Sequence, residues 1–459
     1  MLQVGEEGQA IEGREILFAL WRSLEELEKE SEGSDLIDCA LTLLALRAVL
    51  ERTDPLAWKK LSHDRAVEQD SKIRSLKLAV LGAKTARKDK NNNDWASPDL
   101  VAHLVSAVSD PRIGETPQST ISFVAAYQFL LEKSSQYLQP DFLGPPPPAY
   151  VCNLIAELLR PCQGSAYDPC ARSGQLLLEL DGHQQAVGLH GERLRLYGQE
   201  NNPKRWQQAH EQALIRGTTI DLGKGPLDDL FGNYLNDGLG LGGWWFRREL
   251  HPGLKCDFAV CYPPSSFIDY GLEYVLLDSR WEFGPGIPDP ADFAWLQLAL
   301  HHLVPGGTAA VVLSADTLSS DEPELARVRR NMVGEGIVRC IISLPSAPQS
   351  HHASPTALWV CTQKGPESSV GSIDPLTQEV LLIDLDNGKL LNESATGKFG
   401  EDIVLPQRVA DLYHRWVENS SINPKNEVAA TSMSVSIAEL LGSGGNLAPA
   451  HWLSQYSTR

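Results

Sequence analysis

The chain has 459 residues, of which 42% are hydrophobic and 22% are charged. These fractions match an average globular chain, so a protein that is disordered throughout is excluded. The formal net charge is -19, from 59 acidic and 40 basic residues, which excludes a protein that wraps nucleic acid through its overall charge. The net charge does not exclude a locally basic groove or a basic partner subunit. The length predicts about three structural units.

The residue pattern disfavours membrane and metal sites. The N-terminal residues lack a positively charged region followed by an apolar one, and no uncharged apolar run approaches the roughly 18 residues of a membrane span. We therefore predict a cytoplasmic protein that binds no membrane. The eight cysteines include no C-x-x-C pair, which favours buried, reduced thiols over zinc ligands or disulfides. His301 and His302 are adjacent, as are His351 and His352, so we predict surface histidines and no metal site.

Residues 1–135 are predicted to form an N-terminal helical domain, because apolar side chains recur at helical spacing from Leu17 to Leu27 and again after Asp35. A basic segment lies within it and contains only one acidic residue, Asp89. In so acidic a chain, we name this segment as the candidate DNA contact; the alternative is a solvated helix face that runs into a loop. Its seven basic residues are Lys72, Arg74, Lys77, Lys84, Arg87, Lys88 and Lys90. Arg327–Arg330 is a second, shorter basic stretch with the same two interpretations.

A proline-rich break at residues 139–148 cannot continue a helix, because proline lacks a backbone N–H and restricts the residue before it. Beyond the break, strand-like and helix-like segments alternate, which predicts an α/β domain over residues 136–365 with a mainly parallel sheet. The helix predicted for Ala291–Val304 stops at Pro305. The predicted strands are Arg193–Tyr197, Asp257–Cys261, Thr308–Leu313, Arg339–Leu344 and Ala357–Thr362.

Residues 366–459 are predicted to form a C-terminal extension that docks a partner. Glycine, serine and proline become frequent there, one strand is expected at Val380–Leu385, and two helices are expected to follow it. No segment after Gly365 is long enough for a complete target-recognition domain. We therefore expect that a partner chain would supply any such recognition.

Three segments are expected at the carboxyl ends of parallel strands, where open α/β sheets bind ligands. The first is a strand, a tight loop and a helix start over residues 165–178. The second is a strand that ends in Glu200, whose carboxylate is suited to accept the hydroxyls of a ribose. The third is a strand that runs from Asp257 into Pro263 and Pro264. Each segment alone is a weak signal, because such turns are more often simple connections.

Together, and in this order, the three segments resemble the modification (M) subunits of type I restriction–modification systems. That family consists of S-adenosyl-L-methionine (SAM)-dependent adenine N6 DNA methyltransferases with the signature F-x-T-P, D-P-x-C-G-S-G-G, G-Q-E and N-P-P-F/Y. The resemblance extends over most of the chain, through residues 123–132, 206–217, 291–307, 338–345 and 446–452. It implies a SAM-methyltransferase-like (Rossmann-like) α/β fold with an N-terminal helical domain. The implied partners are DNA and a specificity subunit or another defence-system protein.

The resemblance also implies which residues carry the chemistry. Such enzymes flip the adenine out of the duplex and stack it on the aromatic residue of N-P-P-F/Y, while the Asn side chain accepts a hydrogen of the reacting amine. In this chain, the catalytic segment corresponds to Tyr262, Pro263, Pro264 and Ser265. The residues that correspond to the cofactor site are Phe142, Asp168, Pro169, Arg172, Ser173, Gly174, Glu200 and Asn233.

The chain departs from the family pattern in four motifs. Tyr262 stands in place of the Asn, and Ser265 in place of the stacking aromatic residue. Arg172 replaces the first glycine of the loop, where backbone approaches the cofactor closely and φ is often positive. Asn233 replaces an acid that reads the SAM adenine, and only the ends of the F-x-T-P segment remain, at Phe142 and Pro145.

We therefore predict that methyl transfer is lost or much reduced while the fold and the surfaces for DNA or partners remain. The alternative is a conventionally active SAM-dependent adenine methyltransferase. Retention of SAM binding stays open, because Asp168, Glu200 and half of the glycine loop are present. A nicotinamide-dependent oxidoreductase is disfavoured, because Arg172 and Gln175 interrupt the G-x-G-x-x-G sequence that such a turn requires.

Overall fold

A computed structural model describes the chain as two compact units. The helical unit comprises residues 1–141, 172–174 and 201–220, and the α/β unit comprises residues 142–171, 175–200 and 221–459. Among the residues that the structure describes, no helix is long and apolar enough to cross a membrane. Those residues are 3–30, 36–54, 56–81, 97–137, 146–186, 192–200, 202–223, 249–264, 279–284, 291–345, 355–364, 378–385, 404–419 and 431–456.

The helical unit is built around α2 (Leu36–Thr53), in which every residue from Cys39 to Ala48 is buried. A helix that is buried on all sides needs neighbours around its whole circumference. The other helices of the unit supply them, and of these α1 (Gln3–Glu30) contains the apolar spacing from Leu17 to Leu27 that predicted a helix. The remaining helices of this unit are α3 (Ala57–Ser62), α4 (Ala66–Leu81), α5 (Pro98–Ala107), α6 (Phe123–Tyr137) and α9 (Pro203–Arg216).

A buried polar network joins α9 to α2 and α6. Glu211 of α9 is 1% exposed, and its carboxylate accepts hydrogen bonds of 2.7 Å from the hydroxyls of Thr42 and Tyr127. The amide of Gln207 donates to the same carboxylate at 2.7 Å. Burial raises the pKa of Glu211, while the three donors act against that shift. A buried network whose groups are hydrogen-bonded fixes which face of α9 points into this unit.

The strands of the α/β unit form one mixed sheet. They are β1 (Ser165–Asp168), β2 (Arg195–Gly198), β3 (Ile220–Asp221), β4 (Cys256–Cys261), β5 (Leu303–Ser314), β6 (Val338–Leu344), β7 (Thr356–Thr362), β8 (Glu379–Asp384) and β9 (Ser432–Ser436). The order is β3-β2-β1-β4-β5-β7-β6-β8-β9. The pairs β1–β2, β1–β4, β4–β5 and β6–β8 are parallel. The pairs β5–β7, β6–β7 and β8–β9 are antiparallel. The predicted α/β architecture is confirmed, with a share of antiparallel pairing that the sequence analysis did not anticipate.

The helix predicted for Ala291–Val304 ends earlier than expected, at His301. The chain joins the sheet at that point, because the backbone N–H of Cys256 donates to the carbonyl of His302 at 2.7 Å and β5 begins at Leu303. The helices of this unit are α7 (Ala149–Leu159), α8 (Gln175–Ala186), α10 (Asp292–His301), α11 (Asp316–Ser319), α12 (Pro323–Gly334), α13 (Val404–Asn419), α14 (Ile437–Gly442) and α15 (Pro449–Tyr456).

The described residues after Gly365 belong to the α/β unit and pack against the rest of it. Strands β8 and β9 extend the sheet, and Arg160, which caps α7, forms an ion pair of 2.5 Å with Asp411 of α13. The guanidinium of Arg329 in α12 donates to the carbonyls of Thr317, Ser320 and Gly445, at distances between 2.9 and 3.1 Å. Arg329 is 2% exposed, so the interpretation of this residue as a phosphate contact is wrong.

Candidate functional site

Three strand ends meet at one edge of the α/β unit. Strand β1 lies between β2 and β4, and both neighbours run parallel to it, with Asp168 opposite Gly198 and Tyr167 opposite Ala259. The carboxyl ends of these strands therefore share an edge, which brings Asp168, Glu200 and Tyr262 to the same side of the sheet. Chain connections leave β1 in opposite directions here, and such a switch point forms a crevice for ligands.

The ends of β1 and β2 are held together by the backbone. The N–H of Gln199 donates to the carbonyl of Asp168 at 3.0 Å, and the N–H of Ala171 donates to the carbonyl of Gln199 at 2.9 Å. A Cβ at Gly198 would lie 2.8 Å from the Cβ of Ala171 and 3.0 Å from the carbonyl oxygen of Asp168. Glycine is needed at position 198 because the loop after β1 approaches the second strand this closely.

Two carboxylates are buried at this end. Asp168 and Glu200 are each 1% exposed, and Oδ1 of Asp168 accepts the N–H of Cys170 at 2.8 Å. Carboxylates at such a position accept hydrogen bonds from ribose hydroxyls and attract a cationic ligand. SAM carries a ribose, an ammonium group and a sulfonium centre, and the donors and acceptors present fit it. Pro169 lies directly after Asp168 and is buried as well.

The loop continues through Arg172, Ser173 and Gly174, which pack within the helical unit. The amide of Gln212 in α9 donates to the carbonyl of Ser173 at 2.7 Å. Arg172 has φ of 52° and Gly174 has φ of 78°, so both adopt the left-handed conformation. A Cβ at Gly174 would lie 3.2 Å from the Cβ of Ala209. The loop therefore keeps a glycine-like backbone at position 172 although the residue there is arginine, whose side chain is 5% exposed.

The end of β4 carries a different chemistry. Tyr262 follows the strand and is half-buried, and Pro263 and Pro264 are buried. The hydroxyl of Tyr150 in α7 lies 3.5 Å from the carbonyl of Pro345. Burial raises the pKa of Tyr150, and the phenol of Tyr262 adds to that increase. Tyr262 thus follows β4 at the position that the sequence analysis aligned with the family's Asn.

Histidines behind the strand ends were missed by the sequence analysis. The prediction of a surface position is wrong for His302, which is 0% exposed; burial lowers its pKa to about 3. Its Nδ1 lies 3.0 Å from the carbonyl of Leu254 and donates to it, because a carbonyl only accepts. His251 Nε2 donates to the carbonyl of Gly198 at 2.9 Å. The apolar residues on both sides of His302 were a signal for burial that the sequence analysis passed over.

The candidate DNA contacts lie on or after α4. Lys72 forms an ion pair of 2.5 Å with Asp64, and Arg74 forms one of 2.9 Å with Asp70. Both cations are exposed and keep their place on the surface of the helical unit. Lys77 is on the same helix and is half-buried. Lys84, Arg87, Lys88 and Lys90 lie outside the described residues, as do Phe142, Asn233 and Ser265.

Cysteine and metal chemistry add little to this site. All eight cysteines are free thiols, and all except Cys162 are buried, so burial is as predicted for seven of the eight. In the ranges given above, no group of three or more His, Cys, Asp or Glu side chains is arranged to hold a metal ion.

Comparisons with known proteins place the fold and the family. The chain is 25% identical over 322 residues to the type I restriction enzyme HindI methylase subunit of Haemophilus influenzae, covering 70% of this chain and 64% of that protein. It is 22% identical over 297 residues to the MjaIX methylase subunit of Methanocaldococcus jannaschii, covering 63% of this chain and 48% of that protein. The matched spans are thus less than two thirds of the length of either relative.

A solved structure has the same fold. The type I restriction–modification system methyltransferase subunit from Streptococcus thermophilus matches with a TM-score of 0.64 at 17% identity, over 95% of this chain and 98% of that chain. This likeness confirms the predicted methyltransferase-like fold. The family model described as N-6 DNA Methylase matches residues 122–459. Because that match covers well over half of the sequence, the chain belongs to the N-6 DNA methylase family.

Proposed function

We propose that the protein acts as a modification-subunit-like member of this family, which binds SAM and works on DNA with a specificity subunit or another defence-system protein. We propose further that its own adenine methyl transfer is lost or much reduced. The observation that carries this proposal is the contrast between the strand ends. Buried acids are retained after β1 and β2, and Tyr262 replaces the amine-accepting Asn after β4.

Cofactor binding is supported by the donor set at the ends of β1 and β2. Glu200 is suited to accept both ribose hydroxyls, and the carboxylate of Asp168 favours a cationic ligand at this edge. When bound, SAM supplies a methyl group on a positively charged sulfur. Arg172, whose positive charge stands at the glycine loop, is suited to pair with the carboxylate of the methionine part. These are roles that the residues of this chain can fill without the missing motif residues.

Loss of methyl transfer is supported by the needs of the acceptor. An exocyclic adenine amine is a poor nucleophile, because its lone pair is delocalised into the ring. The family's Asn accepts a hydrogen of this amine at short range, whereas the phenol oxygen of Tyr262 lies several ångströms farther from the backbone. The phenol ring also occupies volume that a flipped base would need. Ser265 offers no ring for stacking, a contact worth roughly 1–3 kcal/mol per base.

Dependence on a partner is supported by charge. With a net charge of -19, the chain needs help to hold DNA, and its basic α4 carries cations that are already paired with Asp64 and Asp70. We propose that the basic segment from Lys72 to Lys90 contributes local phosphate contacts and that a partner supplies the rest. The domains proposed for this work are residues 1–135, 136–365 and 366–459, the last of which docks the partner. The proposed location is the cytoplasm.

Calorimetric titration of the purified full chain with SAM tests the cofactor, and transfer of a radiolabelled methyl group from SAM to DNA tests the reaction. The transfer assay is run with and without the products of neighbouring genes. We expect SAM binding and no transfer, or transfer only with a catalytic partner present. Robust adenine methylation by the unmodified chain would support the conventionally active methyltransferase instead. An absence of SAM binding would remove the cofactor from the proposal.

A further inference from the structure

We propose that Glu249–Leu254, named here the 249–254 segment, positions the end of β2 so that Glu200 can hold a ribose. His251 and Gln199 are positioning residues in this arrangement, because they act through Glu200 and not on the ligand. The inference rests on the proposed binding of SAM and adds to it the structural cause of ribose recognition. All of its members lie within the α/β unit.

Two hydrogen bonds connect the 249–254 segment to the residues that precede Glu200. Nε2 of His251 donates to the carbonyl of Gly198 at 2.9 Å. The backbone N–H of Leu250 donates to Oε1 of Gln199 at 2.7 Å. Gln199 is 0% exposed, and its own backbone bonds to the loop after β1. The end of β2 is therefore held from two sides, by the β1 loop and by this segment.

The imidazole of His251 is held in one orientation by two aromatic rings. It lies edge-to-face against Tyr167 of β1, with ring centroids 6.2 Å apart, and against Tyr197 of β2, at 5.7 Å. These tyrosines are direct neighbours across the β1–β2 pair and point to the same face of the sheet. Edge-to-face contacts with two rings restrict rotation of the imidazole. The donor atom therefore stays directed at the carbonyl of Gly198.

The far end of the segment is fixed by a buried histidine. The imidazole of His302 packs on the ring of Tyr167, with centroids 4.0 Å apart, and its Nδ1 donates to the carbonyl of Leu254. Its Nε2 lies 3.3 Å from Oε1 of Glu249. The backbone of His302 also accepts the N–H of Cys256. One buried side chain thus hydrogen-bonds Leu254 and lies against Glu249 without a hydrogen bond to it, so the last residue of the 249–254 segment cannot move without repacking the face of β1.

Binding of a ribose depends on how precisely the carboxylate of Glu200 is placed. A carboxylate that accepts two adjacent ribose hydroxyls must be placed within about half an ångström, because two hydrogen bonds share one rigid group. Gly198 and Gln199 set the direction in which the backbone leaves β2 and enters Glu200. Loss of the His251 contact frees the carbonyl of Gly198, and the carboxylate loses its fixed direction. Affinity for a ligand with a ribose should fall by more than affinity for the corresponding 2′-deoxyribose ligand, which keeps only one of the two hydroxyls that the carboxylate accepts.

The test uses S-adenosyl-L-homocysteine and its 2′-deoxyribose analogue, each titrated into the full chain by calorimetry. The wild-type chain should bind the ribose ligand more tightly. His251→Ala should weaken binding of the ribose ligand about tenfold and binding of the deoxyribose ligand, which keeps one of the two hydroxyls, by clearly less. His251→Gln should restore the preference, because its amide nitrogen can donate from nearly the same place. His414→Ala is the matched control, because Nε2 of His414 also bonds a backbone carbonyl, that of Glu157, at 3.1 Å.

Equal weakening of both ligands by His251→Ala, or no change in either, would overturn the inference. Loss of the preference in His414→Ala would overturn it too, because a general loosening of the unit would then suffice. If His251→Ala does not fold, Gln199→Met removes the contact with Leu250 instead, and the same two ligands are compared. Failure of the wild-type chain to bind either ligand would contradict SAM binding in the proposed function. That outcome differs from binding of both ligands without the expected response to His251→Ala.

Discussion

The ends of β2 and β4 flank the same strand, yet they differ in how much of the family's chemistry they keep. The end of β2 retains Glu200, and the residues before it are held by the 249–254 segment, Gly198 by the imidazole of His251 and Gln199 by the backbone N–H of Leu250. The end of β4 retains the rigid pair Pro263 and Pro264, and its reacting position carries Tyr262. On the proposed function, SAM binding depends on the end of β2 and activation of the amine on the end of β4, so a change at one end should leave the other intact.

The sheet tolerates this difference because the changed residues lie beyond the last pairing residue of β4. Cys261 pairs with Val311 of β5, and Tyr262 comes after it. Substitution at a strand end leaves the ladder and the core of the sheet intact, so it carries little cost in folding free energy. By contrast, Gly198 lies within β2, where a side chain would collide with Ala171. Packing therefore restricts substitution at the end of β2 more tightly than at the end of β4.

The largest effect is expected from removing the retained acid. Glu200→Ala should weaken SAM binding by about a hundredfold or more, because two hydrogen bonds to a charged group are lost. Calorimetric titration of the full chain measures this. Glu335→Ala is the matched control, since that acid lies on the surface of the same unit and pairs with Lys364. Unchanged SAM affinity in Glu200→Ala would show that the β2 end has lost its function as well.

The positions of Glu200 and Tyr262 were predictable from the sequence, because each follows directly from the residues next to it in the chain. Glu200 follows a short strand of alternating apolar residues and Tyr262 follows a continuous apolar run, so both were expected at the carboxyl ends of parallel strands. The support behind them was not predictable. Tyr167, His251 and His302 are far apart in sequence and meet only through the register of β1 and the path of the 249–254 segment. Antiparallel β7 was missed for the same reason, because a buried run does not reveal its direction.

The next largest effect is the pH dependence of stability that comes from His302. This residue packs on β1, the strand between β2 and β4. His302 packs on Tyr167, and burial lowers its pKa from 6.5 to about 3, although Oε1 of Glu249 lies 3.3 Å from Nε2. The positive charge of Lys255, and that of His301 and His251 in their protonated forms, lower it further. The unfolded chain therefore binds a proton that the folded chain does not bind between these two pH values. Stability from this group is complete above pH 6.5 and declines as the pH falls towards 3.

Unfolding by urea at pH 7 and pH 5 measures this decline. The histidine should account for a loss of about 2 kcal/mol in the free energy of unfolding over that interval. His302→Phe should remove that part of the pH dependence. Other groups titrate in the same range, so the difference between the wild-type chain and the variant is the informative quantity. An identical pH dependence in both chains would mean that the histidine is already neutral in the unfolded chain or charged in the folded one.

The role of the residues after β4 in methyl transfer is tested by restoring the residues of the family's motif. Tyr262→Asn with Ser265→Phe should raise methyl transfer to DNA by about tenfold or more, because the restored aromatic ring alone is worth roughly 1–3 kcal/mol in base stacking. SAM affinity should stay within about twofold of the unmodified chain, since the β2 end is untouched. Transfer of a labelled methyl group and calorimetric titration measure the two quantities. A large change in SAM affinity would contradict the separation of the two ends.

The smallest effect concerns the loop that follows β1. Arg172 has φ of 52°, a left-handed conformation that costs a non-glycine residue roughly 1–2 kcal/mol. Arg172→Gly should raise the free energy of unfolding by no more than about 1 kcal/mol, because glycine also increases the entropy of the unfolded chain. Gly174→Ala is the matched opposite, since its φ is 78° and a Cβ there would lie 3.2 Å from Ala209 and from Ile220. Urea unfolding should therefore give opposite signs for the two variants. Destabilisation by Arg172→Gly would mean that the buried guanidinium stabilises the loop by more than its backbone strain costs, and arginine would then be a structural replacement for the family's glycine.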